Sequence, residues 1–258
     1  MGHHLEIEKQ DVIVLSDIHG RFDLLETLIK QVEENEVMLL LGDYCDRGND
    51  SLQVIKLVKE FVESGRAIAV KGNHDQMFLD FLDDPSAEPD WYFGQGGRET
   101  VQSFYGGNDI GFNVSLRYTP EKIAQDILMM YPELIDFLRA LPLTIEMDGY
   151  LFVHAGVKSH SKDWKSSTLP QEYLWIRQDF YLRPNDTGKR ILFGHTSAYH
   201  LPLHDTPIWV NKEGNLFGID GGAGGSGCLN GVRIQNGKII GVYKVYKYDE
   251  WDYVPFER

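Results

Sequence analysis

Five short apolar runs, each broken off by a polar motif, constrain this chain more than any other feature of it. Residues 12–15 run into SDIHG, 37–41 into GDYCDRG, 67–70 into KGNHD, 151–153 into HAG and 191–193 into FGHT. Continuous β-rich runs of this length are the pattern of strands buried on both faces. Between the first three lie two amphipathic segments, 22–34 and 51–63. Their apolar residues (Leu24, Leu25, Leu28, Ile29 and Val32, then Leu52, Ile55, Val58, Phe61 and Val62) recur at helical spacing. The alternation predicts βαβαβ units with parallel strands. A further helical stretch, 120–140, opens on Pro120, stops before Pro142 and reads as part of a helical layer or cap. Beyond residue 193 the chain turns β-rich, and Asn236-Gly237 between two apolar runs predicts a hairpin.

No segment reads as a linker or an internal repeat, so residues 11–258 are taken as one α/β domain. The start, MGHHLEIEKQ, lacks the basic and apolar regions of a signal peptide and, on its Gly2-His3-His4 string, is set aside as a tag or disordered segment. No apolar run approaches the ~20 residues that span a bilayer, which predicts a cytoplasmic chain with no membrane partner. With 25 basic and 39 acidic residues the net charge is −14, and such a surface repels nucleic acid phosphates, so nucleic acid is not expected as a partner. Cys45 and Cys228 are too few to staple the chain and fit a reducing compartment.

Ligands of open α/β sheets bind beyond the carboxyl ends of the strands, so five polar motifs in those places should converge on one site. The donors offered there are Asp17, His19, Asp43, Asn73, His154 and His195. Imidazole nitrogen with carboxylate and amide oxygen, and no thiolate, suits Mn²⁺, Fe or Zn²⁺ better than a soft copper or iron-sulfur centre, and of these Mn²⁺ is taken as the first choice. Six donors exceed what one catalytic ion with an open position takes, but suit two divalent ions about 3.5–4 Å apart that share a carboxylate. Asp43 is the natural bridge.

Together and in this order, the motifs resemble the phosphoprotein phosphatase branch of the calcineurin-like metallophosphoesterases, of the phage lambda and bacterial serine/threonine phosphatase type. The likeness runs from about residue 17 to residue 222. It implies a metallophosphatase-type β-sandwich of two mixed sheets flanked by helices, with a helical cap. It implies Asp17, His19 and Asp43 as ligands of one metal and Asp43, Asn73, His154 and His195 as ligands of the other. His74 matches the family's general acid and Asp46 the carboxylate that orients it. Arg47 matches a phosphate-binding arginine, and Arg177, in the Trp175-x-Arg177 pattern, supplies the second. Two departures stand out: Ser197 replaces the final histidine of many nuclease relatives, which favours phosphatases, and Lys71 stands where arginine is common.

Each motif also has a plainer reading. Asp17 and Gly20 alone make an ordinary strand-to-helix turn, and Trp175 with Arg177 alone makes a stacked surface pair. His200 and His204 read as loop histidines, and the glycine-rich run 218–227 as a tight turn near the metals rather than a P-loop, since it lacks the lysine and following helix. A non-catalytic metal-dependent scaffold is a third reading, against which Asp46, His74 and Arg47 stand intact. For an enzyme, the expected reaction is direct attack on phosphorus by a hydroxide that bridges the two metals. The expected substrate is a phosphorylated protein or small molecule, with phosphoserine, phosphothreonine or phosphotyrosine ahead of diadenosine tetraphosphate. No basic cluster beyond Arg47 and Arg177 is evident near the motifs except Arg98. The aromatics Trp91, Tyr92 and Phe93 leave the nucleotide alternative open, as either a base platform or the packing of a lid.

Overall fold

The structure, a computed structural model, describes residues 4–33, 36–107, 111–202 and 207–256. The first half runs β1 (His4–Ile7), β2 (Val12–Leu15), α1 (Phe22–Ile29), β3 (Val37–Leu40), α2 (Ser51–Glu63), β4 (Ala67–Ala69) and α3 (Asn73–Asp83). A helical layer follows: α4 (Pro89–Tyr92), α5 (Arg98–Phe104), α6 (Val114–Arg117), α7 (Pro120–Met130) and α8 (Pro132–Ala140). Then come β5 (Thr144–Met147), β6 (Tyr150–Val153), α9 (Trp164–Ser167), α10 (Pro170–Trp175), α11 (Gln178–Tyr181) and β7 (Arg190–Phe193). The chain closes with β8 (Trp209–Val210), β9 (Leu216–Gly218), β10 (Leu229–Gln235), β11 (Lys238–Val245) and β12 (Trp251–Pro255).

Among the described residues the strands make two six-stranded mixed sheets, ordered β12-β11-β10-β2-β3-β4 and β1-β5-β6-β7-β9-β8. Side chains alternate across each strand, and the two faces feed different cores. Val12, Val14, Leu39, Leu41 and Val70 meet Ile145, Met147, Phe152 and Leu192 between the sheets. Ile13, Leu15, Met38 and Leu40 face α1, α2 and the helical layer, while Leu151, Val153, Ile191 and Phe193 pack under Trp164, Tyr173 and Phe180. Both faces are buried, which is why these strands are continuous apolar runs in the sequence. No described helix is long and apolar enough to cross a membrane.

The five motif-bearing strands divide between the sheets: β2, β3 and β4 are parallel neighbours in one, β6 and β7 in the other. Three expectations change in detail. The 120–140 stretch is two helices, because Pro132 disfavours helical backbone at Tyr131 (φ −132°, ψ 42°) and starts α8. Residues 4–7, set aside with the tag-like start, form an edge strand parallel to β5. The first amphipathic segment is helical only to Ile29, and Glu34 lies outside the described residues. The hairpin forms as expected, with Asn236 (φ 51°) and Gly237 (φ 75°) joining β10 to β11.

The ends of β3 and β4 are joined by two buried side chains. The Tyr44 hydroxyl lies 3.0 Å from the Leu40 carbonyl and 2.7 Å from that of Val70. The Asp75 carboxylate, fully buried at the start of α3, accepts the N–H groups of Asp43 (2.9 Å), Tyr44 (2.9 Å) and Gly72 (2.8 Å). Removing it leaves three donors without partners at a typical cost of about 1–3 kcal/mol each. Asp75→Ala is therefore expected to destabilise the protein by roughly 3 kcal/mol or more. That corresponds to a fall in Tm of about 6 °C or more by calorimetry. Asp75→Asn, which keeps one acceptor oxygen, should fall between the two, and a wild-type Tm for Asp75→Ala would refute the assignment.

Candidate active site

The turns that follow β2, β3 and β7 place six non-glycine residues in the left-handed region: Asp17 (φ 54°), His19 (49°), Asp43 (57°), Asp46 (69°), Arg47 (70°) and His195 (62°). Such a backbone costs about 1–2 kcal/mol per residue, least for Asp, Asn and His. Main-chain bonds between the first two turns hold it: Asp17 N–H to Gly42 O (3.2 Å), His19 N–H to Asp43 O (2.8 Å) and Gly20 N–H to Tyr44 O (2.9 Å). The other sheet is tied in by His195 N–H, which donates to Asp17 Oδ2 (2.9 Å), and by His154 Nδ1–H, which donates to Leu41 O (2.8 Å). The Ser16 hydroxyl also donates to the Asp17 carboxylate.

Two clusters of metal-ligand atoms result, His19 with Asp43 and His74, and Asp17 with Asp43 and His154, the atoms of each lying within 4.8 Å of one another. Asp43 belongs to both. Asn73 Oδ1 lies 2.8 Å from His154 Nε2 and 2.8 Å from His195 Nδ1, which brings those three side chains to the second cluster. The arrangement is that of a binuclear divalent-metal site.

The donor set fits such ions on electrostatic grounds. Burial, partly opposed by His154, pushes the Asp17 carboxyl up, and burial does the same to Asp43 against the pull of His74. Burial pushes the imidazoles down: His19 well down, with Arg47 adding to the effect, and His195 well down, with His154 and Arg177 adding. His154 is also lowered by burial, against Asp17. A neutral His154 that gives Nδ1–H to Leu41 turns the lone pair of Nε2 toward the Asn73 carbonyl. Two acceptors at 2.8 Å repel unless a cation lies against both. Positive charge already lies against the first cluster: Arg47 Nη1 donates to His19 Nε2 (2.9 Å), and Nη2 lies 2.9 Å from His74 Nε2.

His74 is oriented from behind. Its Nδ1 lies 2.7 Å from Asp46 Oδ2, and Asp46 Oδ1 accepts the hydroxyls of Thr100 (2.7 Å) and Tyr92 (3.1 Å). This fixes the tautomer and turns Nε2 toward the metal-ligand atoms. Burial acts to lower the His74 pKa, but Asp43 and the hydrogen bond to Asp46 outweigh it, so the ring holds a proton above its ordinary range. Thr100 lies 54 positions from Asp46 in no motif and leaves no sequence signal, whereas Tyr92, which the sequence offers as a base platform or lid packing, instead places its hydroxyl on Asp46. Asp220, buried near Asp17 and raised first by burial, then by that neighbour, was missed inside the glycine-rich run.

Of the remaining candidates, Arg177 is exposed at the start of α11 and donates to Thr196 Oγ1 (2.8 Å) and His195 O (3.2 Å), which sets it beside the second cluster. The aromatic group divides: Tyr92 and Phe93 are buried against Phe81, and only Trp91, at 48% exposure, faces out. Lys71 is buried, donating to Gln76 Oε1 (3.2 Å). His200 is exposed in the loop after β7, and His204 lies outside the described residues.

A family model of calcineurin-like phosphoesterases matches residues 11–221. A bis(5'-nucleosyl)-tetraphosphatase of the asymmetrical kind from Anoxybacillus flavithermus is 38% identical over 271 aligned positions, covering 95% of this chain and 98% of that protein. Serine/threonine-protein phosphatase 1 of Salmonella typhimurium is 27% identical over 232 positions, covering 87% and 92%. Among solved structures, one provisionally named a diadenosine tetraphosphatase superposes with a TM-score of 0.64 at 18% identity, covering 96% of this chain and all of its own. A metallophosphoesterase from Sphaerobacter thermophilus superposes with a TM-score of 0.54 at 14% identity, covering 96% and 89%. Both share the architecture of two mixed sheets flanked by helices.

Because Asp43 is common to both clusters, Asp43→Asn should lower the divalent metal bound per chain at both, whereas Asn73→Ala should affect only the second. Elemental analysis of Mn²⁺-equilibrated protein after gel filtration reads this directly. Unchanged metal content in Asp43→Asn would exclude the shared-carboxylate arrangement.

Proposed function

The chain belongs to the calcineurin-like phosphoesterase family and is a metal-dependent phosphoesterase; from that premise we propose that it hydrolyses dinucleoside tetraphosphates of the diadenosine tetraphosphate type. The observation that carries this reading is the match over nearly the whole chain to an asymmetrical bis(5'-nucleosyl)-tetraphosphatase at 38% identity, against 27% for the serine/threonine phosphatase. A sequence reading that puts phosphoserine and phosphothreonine first rests on Asp46 and on few basic residues, and neither excludes a nucleotide. The same machinery cleaves a monoester, so phosphoprotein remains the second reading, favoured by the Asp46–His74 pair (2.7 Å).

In this proposal Asp17, His19 and Asp43 would hold one ion and Asp43, Asn73, His154 and His195 the other, with Mn²⁺ as the first choice among Mn²⁺, Fe and Zn²⁺. The structure groups the Asp17 carboxylate with Asp43 and His154, and His74 with His19 and Asp43, so this proposal assigns Asp17 across the two clusters and keeps His74 as the acid. Two divalent ions bound there supply a hydroxide nucleophile near neutral pH and offset charge on the phosphoryl oxygens. The chain's own residues do the rest. Arg47, beside His19 and His74, and Arg177, beside His195, bind and orient the phosphoryl group with planar guanidinium donors. His74 carries a proton on Nε2 to the leaving oxygen, and Asp46 holds the ring so that this nitrogen faces the site. Tyr92 and Thr100 keep Asp46 from rotating.

Two measurements test this. With Mn²⁺ present, kcat/KM for diadenosine tetraphosphate is expected to exceed that for a phosphothreonine peptide by about tenfold, a difference of ~1.4 kcal/mol in transition-state binding. The reverse preference would restore the phosphoprotein reading. His74→Asn should slow a poor leaving group such as a serine alkoxide by roughly 100-fold or more while p-nitrophenyl phosphate loses far less, since p-nitrophenolate needs no proton. Equal losses for both, or loss of bound metal, would remove His74 from the role of acid.

A further inference from the structure

The glycine-rich run that no catalytic role absorbs forms one wall of a second cavity, which opens directly from Arg47. This cavity, of about 390 Å³, is lined by Arg21, Arg47, Gly224, Gly225, Lys247 and Tyr248, together with Asp23, Asn49 and Asp50. Its size lies within the range that takes a small-molecule ligand. Its lining includes the Arg47 guanidinium, which donates to His19 and lies 2.9 Å from His74 Nε2, and Tyr248, a residue 91% exposed.

Three elements far apart in sequence build this wall. Arg21 Nη1 donates to Ala223 O (3.1 Å) and fastens the glycine run to the start of α1. At Gly224 the main chain passes so close that a Cβ would lie 2.7 Å from His19 Cδ2 and 2.9 Å from Arg47 Cδ, so a side chain there would collide with both. The turn after β11 is closed by Tyr246 N–H to Glu250 O (2.8 Å) and pinned to α1 by Thr27 Oγ1, which donates to Asp249 Oδ1 (2.6 Å). Within it Tyr248 (φ 66°) and Asp249 (φ 59°) are held in the left-handed region, which presents Lys247 and Tyr248 to the cavity. Arg21 is neutralised by Asp23 (2.6 Å), which leaves Arg47 and Lys247 against Asp50: a locally positive strip on a chain of net charge −14.

We propose that this cavity binds the part of a nucleoside polyphosphate that lies beyond the phosphoryl group under attack. Lys247 meets the outer phosphates, and Tyr248 stacks on the base. The inference rests on the dinucleoside-tetraphosphate reading, and it supplies the cation that a reading of the sequence does not find. Arg98, the sequence candidate, is turned elsewhere, donating to Ser115 Oγ (2.8 Å) and stacked over Phe93. Lys247 is 200 positions downstream of Arg47 and is brought there only by the β10–β12 sheet extension.

The test compares wild type, Lys247→Glu and Tyr248→Ala on three readouts: diadenosine tetraphosphate hydrolysis, p-nitrophenyl phosphate hydrolysis, and inhibition of the latter by ATP. Lys247→Glu is expected to lower kcat/KM for the tetraphosphate about tenfold and to weaken ATP inhibition similarly, because it sets like charge against the outer phosphates. Tyr248→Ala should cost roughly fivefold or more through lost stacking. Turnover of p-nitrophenyl phosphate, which has no outer phosphates, should stay within about twofold of wild type, showing that the fold and metal centre are intact. If wild type cleaves the tetraphosphate but both variants retain full activity and ATP inhibition, the cavity assignment is wrong and the proposed function stands. If wild type does not cleave it, the proposed function fails, and ATP inhibition alone decides the cavity: weakened in Lys247→Glu it holds, unchanged it falls.

Discussion

The Asp75 carboxylate is the joint on which the site depends. A single buried side chain accepts the N–H groups of Asp43, Tyr44 and Gly72, so the turn after β3 and the turn after β4 cannot move apart without exposing three buried donors. Asp43, the one carboxylate common to both ligand clusters, is therefore positioned by its own main chain, and its Oδ1 in turn accepts the His74 N–H at 2.9 Å. The two elements that present Asp43 and His74 are thereby fixed to each other.

Around this joint the chain stores unfavourable terms. The carboxyls of Asp17 and Asp43 have raised pKa values, the imidazoles of His19, His154 and His195 lowered ones, and six ligand-bearing or adjacent residues adopt left-handed backbone. None of these features stabilises the fold by itself. Divalent cations bound there would offset the first and imidazole ligation would use the second, and the third aims side chains from three turns at a common point. The compensation lies in the packing beneath: the two sheets meet over Val12, Val14, Leu39, Leu41, Phe152 and Leu192, so the strand ends start from rigid positions.

The helical layer serves the same centre from the opposite side. Tyr92 and Thr100 each place a hydroxyl on Asp46 Oδ1, and Gly96 O accepts the Arg47 N–H at 3.1 Å. The aromatic group at 91–93 thus acts mainly from within: Tyr92 holds the residue that holds His74, and Phe93 packs on Phe81. The exposed aromatic that lines the cavity beside the site is Tyr248, on a turn that composition and spacing do not connect with the motifs.

Much of the fold is legible in the sequence because burial on both faces leaves a mark on each strand. The runs at 12–15, 37–41, 67–70, 151–153 and 191–193 became β2, β3, β4, β6 and β7 within a residue, and α2 took the bounds its periodicity indicates. The edge strands β1 and β12 left no such mark: on one side they face solvent, so HLEI and WDYVP lack a continuous apolar signature. That Asp17, His19, Asp43, Asn73, His154 and His195 come together could be expected from sequence because each sits at a strand end, where chain direction alone carries it to one edge of a sheet. What only the tertiary structure decided is how the turns face one another. That placed Asp75 under three N–H groups, Tyr92 and Thr100 behind Asp46, and Lys247 beside Arg47. Periodicity records which side of an element is buried, whereas contacts across tens or hundreds of residues depend on how two sheets and a helical layer pack, and that leaves no local trace.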